Sequence, residues 1–261
     1  MINSYRRFVS RLASRFGLDY KIVNIAIIII VLLLINNMID GRQNLTIDNL
    51  AFGLIIIFAI LPAIILHEQA HGFAAKVLGD ETASRLGRIS LNPLNHIRIW
   101  AFALLAGVVL FDIGNIFLYI IIGINLAKPV PINPMFFDDP RKDMAKVGAA
   151  GPITNIILCT IGLFLLKFTI NLNLNNEYLR TYLIYFSQLN IHLAFFNLIP
   201  IPPLDGSRIV YGLLPDNAAR SYISLEKYGF FIIIILWMFN GFGFVLRLST
   251  TFFQYLGGLI L

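Results

Sequence analysis

The stretch Leu66-His67-Glu68-Gln69-Ala70-His71 closes an apolar run that begins near Leu50. Two imidazoles and a carboxylate stand where a membrane helix would carry Leu or Ile. A helix rises about 1.5 Å per residue, which puts His67 roughly 25 Å along it. That is near the far side of a hydrocarbon core about 30 Å thick. Ionisable groups at such depth are expensive and by default functional. Any fold for this chain has to supply them with partners.

The surrounding sequence is membrane-like. Of 261 residues, 58% are hydrophobic and 13% charged, with a mean hydropathy of +0.79. Soluble domains carry about 25% charged residues, so the composition points to an all-α polytopic membrane protein. No segment between the apolar runs is long enough for a soluble domain, and one membrane domain is expected over 1–261. The net charge of +6 comes from basic residues flanking apolar runs, not from one basic face. That pattern reports topology and attraction to anionic membrane lipids, and it argues against nucleic acid as a partner. The single cysteine, Cys159, lies inside an apolar run and reads as a packing residue; one cysteine permits no internal disulfide.

Taken in order, residues 1–21 carry Arg6, Arg7, Arg11, Arg15 and Lys21, with Phe8, Leu12 and Phe16 at every fourth position. A basic amphipathic helix on the membrane surface is expected, a targeting presequence being the rival. Spans are expected at about 22–38, 50–75, 147–169, 181–199 and 229–247. The apolar tail 248–261 is either a half-span or an interfacial helix. Polar loops are expected at 76–98 and 207–228, and Pro129, Pro131, Pro134 and Pro140 impose an extended segment after Lys128. The core is placed at 50–210, with 1–49 and 211–261 flanking it. The apolar stretch 99–126 is interrupted by Asp112-Ile113-Gly114-Asn115 and is either one crossing or a hairpin. With a hairpin, 16 of the 20 Lys and Arg fall on one side; with a single crossing, 12 do. Positive charge prefers the cytoplasmic side, so the hairpin is favoured. Five to six transmembrane helices, a re-entrant hairpin and a short proline-rich strand result. The N-terminus and the histidines then face the cytoplasm, in a membrane expected to be the bacterial cytoplasmic membrane.

Residues four apart share a helix face, so His67 and His71 can offer imidazole nitrogens to one ion. Zinc suits two imidazoles and one carboxylate with an open fourth position. Zinc lowers the pKa of a bound water toward about 7, and Glu68 projects beside that face as the general base. The bland alternative leaves two His and a Glu unpartnered near the membrane interior, which is costly. The third ligand must come from elsewhere, and Asp205, His96, Asp80 and Glu81 are the candidates on the inner face. Asp205 is best placed, because the preceding prolines turn the chain and Gly206 permits a close approach. A water-exposed turn acid is the rival reading for it. His96 reads as a surface or capping residue, and His192 as one side of an interhelical hydrogen bond.

These motifs together resemble the site-2 protease family of intramembrane zinc metalloproteases. His67-Glu68-Gln69-Ala70-His71-Gly72 is similar to its zinc-binding helix, and Asn197 through Gly206 (Asn-Leu-Ile-Pro-Ile-Pro-Pro-Leu-Asp-Gly) to its second signature. Ala150-Gly151-Pro152-Ile153-Thr154-Asn155 and Lys128-Pro129-Val130-Pro131-Ile132-Asn133-Pro134 are similar to segments of its short members. The resemblance implies that one zinc ion is held by His67, His71 and Asp205, that Glu68 is the catalytic acid/base, and that peptide bonds in or beside transmembrane helices of substrate proteins are hydrolysed. Asn155 and Asn197 match polar positions near that family's active site; a hydrogen-bonding role toward substrate or the oxyanion and a helix-packing role are the two readings for them. One departure stands out: His96-Ile97-Arg98-Ile99 lacks the His-x-Asp-Pro of many short members. No inserted peptide-binding (PDZ) or CBS domain is expected. Unwound substrate is expected to pair with the N–H groups of Val130 and Ile132, because Pro129 and Pro131 leave only that edge with donors. A membrane metal carrier or sensor, or an inactive scaffold of the same fold, is the alternative.

Overall fold

The structure, a computed structural model, describes residues 47–90, 95–110 and 128–261 together with Ser10 and Asn92. In chain order its helices are α1 (Ile47–Val77), α2 (Thr82–Arg85), α3 (Ile99–Leu110), α4 (Pro140–Asn171), α5 (Glu177–Asn197), α6 (Asp205–Leu213), α7 (Asp216–Ile223), α8 (Glu226–Met238) and α9 (Gly243–Ile260). A 3-10 turn at Pro134–Phe136 precedes α4, and no strand occurs among the described residues. The expected amphipathic N-terminus, the span at 22–38 and the hairpin tip at Asp112–Asn115 lie outside the described residues.

Two of the described helices are long and apolar enough to cross a membrane, Leu50–Val77 and Pro140–Asn171. Pro62 and Pro152 sit inside them. Each frees a backbone carbonyl, a defect that packed membrane helices accommodate through their neighbours. Helices α1, α4 and α5 pack against one another at the centre. Ile56, Ile60, Ala63 and Ile64 of α1 meet Leu105 and Val108 of α3 and Leu189, Leu193 and Phe196 of α5 in one buried cluster. On α4 the polarity of a soluble helix is reversed. Its buried face carries Gly148, Gly151, Asn155 and Cys159, whereas Ile153, Ile157, Ile161, Phe164 and Phe168 form an exposed apolar stripe. Spacings of three and four put that stripe on one face.

The Lys128 N–H donates to the His96 carbonyl at 2.6 Å, so these two residues lie side by side.

Several boundaries need correction. Helix α4 starts at Pro140, seven residues before the expected span, because Pro is tolerated in a first turn and the Asp139 side chain caps it by accepting from the Lys142 N–H. The expected loop 207–228 contains α6 and α7, short helices with one apolar face. The expected span 229–247 is broken, since α8 stops at Met238 and Asn240 takes a φ of 54°. The tail is the helix α9, packed on α5 and α4. His192 Nδ1 lies 2.7 Å from Ser249 Oγ, the interhelical bond expected of that histidine.

Candidate metal centre

The centre forms where three elements meet: the C-terminal half of α1, the first half of α4 and the N-terminus of α6. His67 and His71 stand one turn apart on α1, both buried, with ring centroids 4.7 Å apart and nearly perpendicular. Each ring spends one nitrogen on an acceptor from α4. His71 Nδ1 lies 2.7 Å from the Val147 carbonyl oxygen, and His67 Nδ1 lies 2.5 Å from Asn155 Oδ1. A carbonyl oxygen can only accept, so both Nδ1 atoms carry the proton and both Nε2 atoms present a lone pair.

Asp205 is delivered by the turn between α5 and α6. The Leu204 N–H donates to the Ile201 carbonyl at 2.9 Å, and α6 opens directly on Asp205. Gly206 lets the start of α6 press against the end of α5: a Cβ there would collide with the Leu198 carbonyl. Asp205 Oδ2 consequently stands 2.9 Å from His67 Nε2 and 3.2 Å from His71 Nε2, and the two Nε2 atoms are 3.1 Å apart.

With both rings neutral and donating through Nδ1, three lone-pair atoms converge, an arrangement that a cation resolves. Ligands at about 2.0–2.1 Å from a tetrahedral zinc lie about 3.3 Å apart, so the spacing suits that ion. The approach of α4 leaves room for it. A Cβ on Gly151 would lie 2.5 Å from His67 Cε1, 2.6 Å from His67 Nε2 and 2.7 Å from His71 Cε1. His67, His71 and Asp205 form the one group of potential metal ligands found among the described residues.

Glu68 is half-buried beside this triangle, and its Oε2 accepts the Val130 N–H at 3.1 Å. The edge carrying Val130 and Ile132 thus faces the centre. The expectation of a free edge needs correction at Val130, whose donor is already engaged. The Ile132 N–H finds no partner among the described residues. Around this segment, Arg88 Nη2 donates to the Lys128 carbonyl at 2.9 Å, and the Asn133 N–H donates to Asp80 Oδ2 at 2.7 Å.

The other candidate ligands are committed elsewhere. Asp80 is buried, and its Oδ1 also accepts the Thr82 N–H at 2.9 Å. Burial pushes the Asp80 carboxyl up, but hydrogen bonds from Thr82 and from the Asn133 N–H outweigh it and hold the group below the usual aspartate range. Glu81 pairs on the surface with Arg85. His96 is not the surface residue expected. It is buried, with Nε2 2.5 Å from the Ser90 carbonyl and 2.8 Å from Gln69 Nε2.

Asn155 and Asn197 both make internal contacts, as the packing reading expects. Asn155 is fully buried and spends its amide inside the protein, on His67, the Ala63 carbonyl and Asn190 Oδ1. Asn197 turns its amide nitrogen back to the Leu193 carbonyl of its own helix. Asn190, the partner of Asn155, carries no signal in the sequence beyond being a polar residue in an apolar helix. An open cavity of about 640 Å³ lies between α1 and α4 next to the motif, lined in part by Leu66, Gln69, Ala70, Phe73, Ile153 and Thr154.

Known proteins are similar to this chain in sequence. The sequence profile of peptidase family M50 matches residues 172–239, which include Asp205. The Bacillus subtilis protein named "Putative zinc metalloprotease YwhC" is 34% identical over 194 residues, covering 70% of this chain and 80% of that protein. A zinc metalloprotease of Methanocaldococcus jannaschii is 32% identical over 133 residues, 48% of this chain and 38% of that one. No solved structure matches the chain. Zinc is the metal named for these relatives, and the centre here suits it.

Proposed function

The chain belongs to peptidase family M50, the site-2 proteases, and we propose that it cleaves peptide bonds within or next to transmembrane segments of other proteins. The observation that carries this reading is the convergence of His67, His71 and Asp205 with Glu68 at its edge. Zinc held there supplies a Lewis acid that activates water and polarises a peptide carbonyl. Glu68 accepts the proton given up by the attacking water and passes it to the leaving amine. The hydroxyl goes to the carbonyl carbon and the peptide C–N bond breaks, so the step needs no other co-reactant.

The exposed apolar stripe on α4 supports a lipid-facing surface. The meeting of His96 with Lys128 supports the hairpin topology in which most Lys and Arg share one side. On that topology the centre lies toward the cytoplasmic face of a bacterial membrane. The cavity between α1 and α4 is a route by which an apolar substrate segment reaches the motif. The edge at Ile132, next to the Val130 N–H that holds Glu68, is where an unwound substrate would pair.

The test is zinc analysis with a cleavage assay on a panel of transmembrane peptides, wild type against Glu68→Gln. Zinc content is expected to be unchanged and cleavage to fall about 10²- to 10⁴-fold. Equal cleavage by the two proteins removes Glu68 from the reaction, and zinc binding with cleavage by neither sinks the proposal in favour of a membrane metal carrier using the same ligands.

A further inference from the structure

One chain of side-chain amides behind the centre takes no part in the proton transfers of that reaction. It starts at a backbone carbonyl of α5. Asn190 Nδ2 donates to Phe186 O at 2.8 Å. Because that carbonyl can only accept, the nitrogen of the Asn190 amide faces it and the oxygen faces away. Asn190 Oδ1 then accepts from Asn155 Nδ2 at 2.7 Å, and the same nitrogen donates to Ala63 O of α1 at 3.1 Å. Both Asn155 N–H bonds are thereby committed, and Asn155 Oδ1 is left to face His67 Nδ1. Both asparagines are fully buried, at 0% exposure. No water competes for these groups.

We propose that Asn155 and Asn190 are positioning residues that fix the His67 tautomer, so that its Nε2 lone pair points at the metal before the metal arrives. The inference rests on the zinc reading of His67, His71 and Asp205. The two histidines obtain the same result by different means. His71 is oriented by a main-chain carbonyl, Val147 O, which no side-chain change removes, whereas His67 depends on an amide that works in only one of its two orientations. Flipped by 180°, Asn155 would aim Nδ2 at His67 Nδ1, favour a lone pair there, and put the proton on Nε2. Asn190 and Ala63 oppose that flip from the far side. Partners that orient metal-ligating histidines typically change metal affinity by about 10- to 100-fold when removed.

The chain has four histidines, so histidine-selective ¹⁵N labelling of the full-length protein in detergent gives a tractable spectrum. In metal-free wild type, His67 is expected to show the shifts of a ring protonated at Nδ1. In Asn190→Leu it should show a mixture of tautomers, and zinc affinity by chelator competition should fall about 10-fold or more. Asn190→Asp keeps an oxygen for Asn155 and, when protonated, a donor for Phe186 O; it should restore both readouts. Asn155→Leu should weaken zinc more than Asn190→Leu and serves as the second variant where Asn190→Leu does not fold. A His67 that stays uniformly Nδ1-protonated in these variants, with zinc affinity within twofold of wild type, overturns the proposal. A wild type that binds no zinc overturns the zinc reading instead, and the tautomer spectrum still decides the relay.

Discussion

His71 Nδ1 lies 2.7 Å from the carbonyl oxygen of Val147, a main-chain atom of α4, while His71 itself belongs to α1. The metal centre is thus built on the contact between two helices, not on one helix alone. The ring cannot donate to that carbonyl without turning its Nε2 lone pair toward Asp205. Holding α4 at this height on α1 is therefore a condition for metal binding, and it is a condition that residue types at the ligand positions do not reveal.

Asp205→Asn tests the ligand assignment with little change in shape. The amide is neutral, and it can present an N–H to a site where only lone pairs converge. Zinc affinity is expected to fall by more than the roughly 10- to 100-fold that loss of an outer partner costs. Metal content after dialysis against a weak chelator reads this directly. Full zinc in the Asp205→Asn variant would remove Asp205 from the ligand set.

Gly151→Ala tests the approach of α4. Alanine favours a helix over glycine by about 1 kcal/mol, so the substitution is benign for α4 considered alone. At the centre its methyl would stand 2.5 Å from His67 Cε1 and 2.7 Å from His71 Cε1, and the rings or the helix must move. The expected result is a protein that still folds, with a lowered melting temperature, and that loses zinc and cleavage together. Retention of both would mean that the two helices are farther apart than described.

The parts of this centre legible in the sequence are those encoded by residue type at short range or in a signature. His67 and His71 announce themselves by a spacing of four, and Asp205 by the proline turn and glycine around it. The expected hairpin rests, in the sequence, only on where Lys and Arg lie, and its tip falls outside the described residues. What stays hidden depends on how helices meet. Val147 contributes only a carbonyl, which any residue would supply. Asn155 is visible as polar, yet its direction toward His67 instead of a substrate is set by Ala63 and Asn190. Buried His96 sits in a polar loop whose composition suggests water. Helices α6 and α7 escape a sequence reading because short, charged, amphipathic turns resemble loops when the apolar face is only two or three residues wide.

Asp80 gives a prediction with a defined pH dependence. Its two carboxylate oxygens hold the Thr82 and Asn133 N–H groups, tying the end of α1 to the proline-rich segment. Asp80→Asn leaves one of those N–H groups facing an NH₂, at a cost of about 1–3 kcal/mol. The folded carboxyl titrates below its ordinary value of 3.8. The stabilisation is accordingly complete above that value and disappears as pH falls through the lower folded one. In thermal melts, wild type should exceed Asp80→Asn at pH 7 and at pH 5, and the gap should close only below about pH 4. A gap that is constant down to pH 2, or one that widens with acid, contradicts the assignment of those bonds to a carboxylate.

The last prediction separates two donors on one edge. Val130 gives its N–H to Glu68, whereas the Ile132 N–H has no partner among the described residues and is the donor proposed to meet a substrate backbone. Proline at either position deletes one donor, but the consequences should differ. Ile132→Pro removes one backbone hydrogen bond to substrate, worth about 0.5–1.5 kcal/mol net, and should raise KM roughly 2- to 10-fold with kcat little changed. Val130→Pro removes the contact that holds the proton-transferring carboxylate, and should lower kcat with KM little changed. Zinc content should stay at the wild-type level in both. Ile132 also packs against the cluster of Ala75, Phe137 and Val147; Ile132→Val keeps the donor and most of that packing, so it should behave as wild type. Should Ile132→Val and Ile132→Pro be equally impaired, the side chain and not the N–H matters there, and pairing of substrate along this edge is wrong.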